Sequence, residues 1–529
     1  MTKRYQVVIV GGGPVGVALA VELGLRGISC ALVERRTRLQ EIPKGQNLTQ
    51  RTLEHFYFWG IADELRAARA MPPGYPIGGV TTYKTLTSDY WYVQVGREVV
   101  RPYYFQDNER LPQYRTEEVL RRRMASIPEI ADYFGWRATA IAQDAGGVRI
   151  ALSREGGGET ETLEADYAVG CDGAHSFVRE AIGITRGIKD FDELMVLAVF
   201  RSREFHEGLK RFPERSTYRV LHPDLRGYWQ FFGRIDVGEG FFFHAPVPAD
   251  TTKENFDFHG LLEKVAGFKF AAQFDYVGFW DLRIAVAQNY QVGRVFIAGD
   301  AAHSHPPYGG YGLNSGIEDA ANLGWKLAAR LKGWAGDKLL ASYSDERRPV
   351  FQQTADDFID AKIAQEGAFL AEHSPEKDGP EKFKTLFANI ESGGPSWVYA
   401  FEPNYEGSPV VFGPPGGKSG ARGEHSFKAR PGHHLAPQPL SSGRNVFEEL
   451  GSGFALLAFG DNDAAARAFE DGARALGVPL KTIRDSYAGE RLKYEAPLIL
   501  VRPDQYVVWT GDKAPADAGA IIARVAGRA

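Results

Sequence analysis

Three glycines at fixed spacing, Gly11-x-Gly13-x-x-Gly16, follow the β-branched run Tyr5–Val10 and open the helical segment Pro14–Leu25. A turn of this kind aims backbone N–H groups and the positive end of a helix at a phosphate. Gly11 permits the tight turn, Gly13 lets a pyrophosphate approach, and Gly16 lets helix and strand pack closely; Pro14 takes the first helical position. Glu34 ends the next strand, where a carboxylate accepts hydrogen bonds from ribose hydroxyls. Together these features point to an adenine dinucleotide, either FAD or NAD. A purely structural glycine turn is the alternative.

Two distant segments carry the remaining chemistry. One runs from Asp166 through Cys171-Asp172-Gly173-Ala174-His175-Ser176 to Arg179. The other begins Gly293-Arg294-Val295-Phe296-Ile297-Ala298-Gly299-Asp300-Ala301-Ala302-His303 and continues through His305-Pro306-Pro307-Tyr308 to Gly312-Leu313-Asn314. With the glycine turn, and in this order, they resemble the single-component FAD-dependent aromatic hydroxylases, the class A flavoprotein monooxygenases. The resemblance implies non-covalent FAD, with Asp300 on the ribityl chain and Gly312, Leu313 and Asn314 against the flavin pyrimidine. It further implies Pro307 at the flavin front, and Asp172-Gly173 serving both FAD and the nicotinamide donor. Gln113 would lie near the ribityl and pyrophosphate. Asn314 is expected to open a helix, whose dipole would face a reduced flavin. Relatives often carry Arg-Ala or Arg-Gly where this chain has Lys44-Gly45, so Lys44 keeps the charge without the bidentate fork. Arg51 matches no specific family position.

The implied reaction takes hydride from NADPH or NADH to flavin N5, adds O2 as a C4a-hydroperoxide, and hydroxylates a small phenolic or related aromatic ring. A base lowering the substrate phenol pKa would help; the candidates are His305, Tyr308 and Tyr218. An FAD epoxidase or a decarboxylative or denitrifying hydroxylase would use the same flavin. A non-catalytic flavin- or ligand-binding protein would share the motifs but not the turnover. No second glycine-rich β-α-β unit is present for the nicotinamide, which fits its transient binding in the family.

To hold these residues the chain must build an α/β Rossmann-type FAD-binding domain, expected over 1–75, 98–188 and 281–395. An inserted antiparallel-sheet substrate domain is expected over 76–97 and 189–280. Its aromatics Tyr218, Tyr228, Trp229, Phe231, Phe232, Phe241, Phe242, Phe243 and Trp280 alternate between two faces. One face would roof the flavin. Helices are expected over Gln50–Arg69, Thr116–Ser126 (opened by Thr116), Asn314–Leu331 and Leu339–Gly367. Tyr343-x-x-Glu346-Arg347-Arg348-Pro349 matches the family but reads as a solvated helix face. From about Asn404 the chain resembles the thioredoxin-like C-terminal domain of the phenol hydroxylase subgroup, expected over 400–529. The carriers are Tyr405-Glu406-Gly407-Ser408-Pro409, Arg430-Pro431-Gly432 and Leu500-Val501-Arg502-Pro503-Asp504. It holds no Cys-x-x-Cys, which leaves a structural role or homodimer contact.

Length and composition agree. The 529 residues suit about three domains. The formal charge, 62 − 67 = −5, offers no positive field for nucleic acid or an anionic membrane. Two cysteines cannot staple such a chain, so a cytoplasmic setting is expected. Met1–Leu25 mimics a signal peptide, but Gly11-Gly12-Gly13-Pro14 interrupts its apolar centre. His303-x-His305 lacks partners for a metal, and His433-His434 reads as a surface pair.

Overall fold

The computed structural model describes residues 3–391 and 396–529. Met1 and Thr2 of the basic start, and 392–395 of the composition shift expected over Ser374–Ser396, lie outside the described residues.

The first sheet is centred on Lys3–Val10, flanked in parallel by Cys30–Glu34 and Thr160–Gly170, with Ile130–Phe134 and Val295–Ile297 outside them. Val7, Val8, Ile9 and Val10 are almost fully buried, because helices cover both faces of such a sheet. Each such side chain contributes roughly 1.5–3 kcal/mol on burial. The register decides where the motifs meet. Val10 pairs with Val33 and Gly170, and Gly170 with Ile297. Gly11, Asp172 and Asp300 each follow one of these strand ends, so segments far apart in sequence emerge at one edge of the sheet. That edge, beyond the carboxyl ends of parallel strands, is where α/β sheets bind ligands.

A second sheet of eight strands runs in the order His303–Ser304, Gln273–Ala287, Arg186–Arg201, Gly240–Val247, Trp229–Arg234, Thr217–Leu221, Gly79–Tyr83, Trp91–Val93. It is antiparallel except where Thr217–Leu221 pairs with Gly79–Tyr83. A four-stranded C-terminal sheet orders Leu480–Asp485, Phe454–Phe459, Leu498–Val501, Val507–Gly511, with Asp463–Leu476 and Ala518–Val525 packed together beside it.

The central helix Tyr311–Leu331 is buried almost all round and packs on Pro14–Leu25. It begins at Tyr311, capped by Gly310, so Asn314 lies inside its first turn rather than opening it. Likewise Pro112 caps the helix Gln113–Ala125, and Thr116 is buried within it. Proline before a helix presets the entry angle without a side-chain cap. The segment Gln50–Arg69 splits at Gly60, whose φ of 74° ends Gln50–Phe58 before Ala62–Ala67. Asp337–Gln353 runs through a π-helical turn, Thr354–Asp360, into Ala361–Glu372. Among the described residues no helix is long and apolar enough to cross a membrane.

The charges of Tyr343–Pro349 are not a solvated face. Glu346 and Arg347 are at most 1 % exposed. Glu346 accepts both terminal nitrogens of Arg502 at 2.8 Å, Lys326 Nζ at 2.6 Å and Ser408 Oγ at 2.7 Å. Arg347 donates to Asp319 at 2.7 Å. Arg51 donates to Glu54, to Glu318, and to Gln505 and the Asp504 carbonyl. His433 is 3 % exposed between Glu402 and Glu406, and His434 bonds Glu54 at 2.7 Å. These groups clamp the C-terminal sheet to the central helix and to Gln50–Phe58.

Candidate active site

The edge of the first sheet and one face of the second enclose a cavity of about 1370 Å³. The glycine turn forms one wall. Gly11 has φ of 111°, and a Cβ there would lie 2.2 Å from the Cys171 carbonyl. A Cβ at Gly16 would lie 1.9 Å from the Gly11 carbonyl. Gly13 differs: a Cβ there meets nothing within 4 Å and would project into open space. It caps Pro14–Leu25 with no side-chain hydrogen bond, so the helix's first N–H groups lack a side-chain acceptor. Glu34 lines the cavity and accepts from Gly12 N and Arg36 N, both at 2.8 Å.

Pro14, Lys44, Gln113, Asp172, Gly173, Asp300, Pro307, Gly312 and Leu313 line the same cavity. Asp172 accepts from Ser176 Oγ and Val178 N, and burial holds its carboxyl above the usual range. Asp300 opens to the cavity, and the surrounding protein pushes its carboxyl up, opposed by His303 and Lys44. Asn314 and Gly16 lie behind the wall. The Asn314 carbonyl accepts from Thr49 N at 2.9 Å and Thr52 Oγ1 at 2.6 Å, while its amide donates to the Asn47 and Gly310 carbonyls. Asn314 thus ties the helix start to the loop holding Asn47.

Alternation along the second sheet sorts its aromatics. Trp229, Phe231, Phe242 and Trp280 face the cavity. Tyr218, Phe232, Phe241 and Phe243 pack in a separate core on the other face. Tyr218, a candidate base, is therefore turned away: its strand sends Thr217 and Arg219 to the cavity, and its hydroxyl accepts from Arg234. Tyr308 does reach the cavity. Its hydroxyl donates to Glu366 at 3.1 Å, Glu366 holds Arg219 at 2.6 Å, and Trp229 packs against the ring. Burial keeps its phenol well above the usual value, so at neutral pH Tyr308 is a hydrogen-bond donor rather than a base. His305 stacks on Phe351, its Nδ1 meets the Pro306 carbonyl, and its Nε2 has no partner. Burial lowers its pKa to about 4.

Several residues were not singled out by the sequence reading. Gln46 lines the cavity with both amide atoms buried and, among the described residues, unpartnered. Asp319, fully buried, accepts from Gly299 N at 3.0 Å, His303 at 2.6 Å and Arg347, and so pins the Asp300 loop to the central helix. Polar residues at 318, 319, 322 and 326, set among the apolar residues of the helix middle, are the signal that points to it.

His244 and His425 are buried and His305 is half-buried, and desolvation lowers their pKa values to about 3, about 4 and about 4. An unfolded histidine titrates near 6.5, so below that pH the unfolded chain binds protons the folded chain refuses. Their contribution to stability is present above about pH 6.5 and is lost as pH falls toward 4. Three such groups predict a loss of about 3 kcal/mol between pH 6.5 and 5.5. Urea unfolding at the two values checks this; an unchanged midpoint would contradict it.

Residues 4–357 match the family described as FAD binding domain, and 428–529 the family described as aromatic-ring hydroxylase, C-terminal. The FAD-dependent monooxygenase apdD of Emericella nidulans is 29% identical, covering 98% of this chain and 90% of its own. A putative polyketide hydroxylase of Streptomyces halstedii is 31% identical, covering 96% and 93%. The solved structure of the rebeccamycin biosynthetic enzyme RebC with reduced flavin is 28% identical, covers 100% of both chains and superposes with a TM-score of 0.85.

Proposed function

Because the chain belongs to the FAD-dependent aromatic-ring hydroxylases, we propose that it is an NAD(P)H-dependent monooxygenase that hydroxylates a phenolic or related planar aromatic ring. The observation that carries this is one cavity with two unlike walls: an N–H-lined glycine turn at a helix start, and an aromatic roof opposite. The turn fits FAD. The open space at Gly13, the uncapped helix start and the orphaned Gln46 amide are what a dinucleotide would fill and satisfy. When bound, FAD supplies the activation of dioxygen for ring hydroxylation.

In this reading the backbone at Gly11–Pro14 holds the pyrophosphate and Glu34 the ribose. Asp300, Gln113 and Lys44 face the ribityl and flavin, Asp172-Gly173 borders both cofactor and nicotinamide donor, and Pro307, Gly312 and Leu313 border the ring system. Asn314 acts through the loop it fixes. Trp229, Phe231 and Trp280 exclude water and hold the substrate flat. Arg219 offers a donor at the cavity end, and His305 and the Tyr308 oxygen, whose proton Glu366 takes, offer acceptors. Purified protein should be yellow, release FAD on acid precipitation, and consume one O2 per NAD(P)H with a competent phenol. Label from 18O2 should enter the product; its absence despite tight FAD binding would refute the reading.

Tyr308→Phe is expected to raise KM several-fold and to leave the pH profile of kcat unchanged, because a neutral hydroxyl held by Glu366 positions without titrating. A shifted kcat profile would instead make Tyr308 the base.

A further inference from the structure

His244 is a polar residue in the apolar roof with no established task. It lies on Gly240–Val247, opposite Phe231 on one neighbouring strand and Leu197 on the other, and all three side chains line the cavity. Its ring stacks on Phe231, with centroids 5.1 Å apart and planes 23° from parallel, while Phe242 and Trp280 meet it edge-on. It is 4 % exposed, and among the described residues neither ring nitrogen has a hydrogen-bond partner. Leaving a buried polar group unsatisfied costs about 1–3 kcal/mol, so such a group in a ligand cavity calls for a partner from the ligand side.

Whichever nitrogen carries the proton, a neutral imidazole keeps a lone pair on the other. Burial keeps the imidazole neutral, with one N–H and one lone pair. The unprotonated nitrogen is then left as an acceptor. Phe231 and Phe242 carry no donor for that nitrogen, and the Trp280 indole, the donor among these rings, makes no hydrogen bond to it among the described residues.

Resting on the functional reading above, we propose that His244 is the positioning residue that accepts a hydrogen bond from a hydroxyl of a planar aromatic substrate, selecting hydroxylated rings and fixing their rotation beneath the roof. The neighbouring aromatics supply flat, non-directional contact, which cannot set rotation in the ring plane; one directional acceptor among them can.

The test uses oxidised holoenzyme without NAD(P)H, and two planar probes, 2,6-dihydroxyanthraquinone and 9,10-anthraquinone, titrated by tryptophan fluorescence. The wild-type protein should prefer the dihydroxy probe at least tenfold. His244→Phe keeps a flat ring and removes both nitrogens. It should reduce the preference to within twofold while its Kd for anthraquinone stays within twofold of wild type. Should that variant not retain FAD, His244→Leu is read the same way. His244→Gln, which restores an acceptor, should recover part of the preference. A wild-type protein with no preference, or a phenylalanine variant that keeps it, overturns the proposal. Loss of preference bears on His244 alone, because no turnover is involved. Absent phenol-stimulated NAD(P)H oxidation with the preference intact would instead refute the functional reading.

Discussion

Gly13→Asp should give a folded, colourless protein. A Cβ at this position meets nothing within 4 Å, so the substitution disturbs no protein contact. It does place a carboxylate where the proposed pyrophosphate lies, at the uncapped start of Pro14–Leu25. Steric exclusion and like-charge repulsion act together there. FAD affinity should fall at least 100-fold, or about 2.7 kcal/mol. The urea midpoint of the apoprotein should stay within about 0.5 kcal/mol of wild-type apoprotein, as for a surface change. Gly11→Ala makes the contrast: its Cβ would collide with the Cys171 carbonyl, and folding itself should suffer. Flavin absorbance after gel filtration, with an FAD titration of each apoprotein, reads the difference. Normal flavin retention by Gly13→Asp would remove the glycine turn from the cofactor site.

Arg502→Met should cost about 3–5 kcal/mol of stability, because it leaves buried charge uncompensated. Arg502 forks onto both Glu346 oxygens and onto Asp504, all at most 2 % exposed, and its guanidinium packs against Tyr405 and Trp325. Methionine preserves much of the packing volume but leaves Lys326 as the remaining cation on Glu346. Arg502→Lys should fall between, since it keeps the charge and loses the fork. Arg502 and Lys326 hold Glu346 well below the usual carboxylate range. This contribution is therefore present above about pH 4.5 and fades only in strong acid. Thermal and urea unfolding of the holoenzyme at pH 7 measures the loss. A variant within 1 kcal/mol of wild type would show that the C-terminal sheet is held by its apolar contacts instead.

The glycine turn, the helix Pro14–Leu25 and the strands around them were legible because each rests on local periods and on residues with few backbone choices. The alternation of the roof strands was legible for the same reason, though not which half faces the cavity. Tyr218 shows the gap: its two possible faces are equivalent in sequence, and strand pairing with Gly79–Tyr83 and Trp229–Arg234 selects the one away from the site. The helix entries before Asn314 and Thr116 were missed because Gly310 and Pro112 cap them without side-chain bonds.

What the amino-acid order determined alone was the class of chemistry: a glycine turn shaped to admit a phosphate, an acidic strand end, and two further motifs spaced to meet it. What only the tertiary structure decided was the fate of the charges and the polar aromatics. Glu346, Arg347 and His433 look like surface residues in a linear reading, yet they are buried because partners up to 156 positions away neutralise them. Local pattern reports on backbone geometry, whereas the cost of burying a charge depends on which opposite charge the completed fold brings beside it.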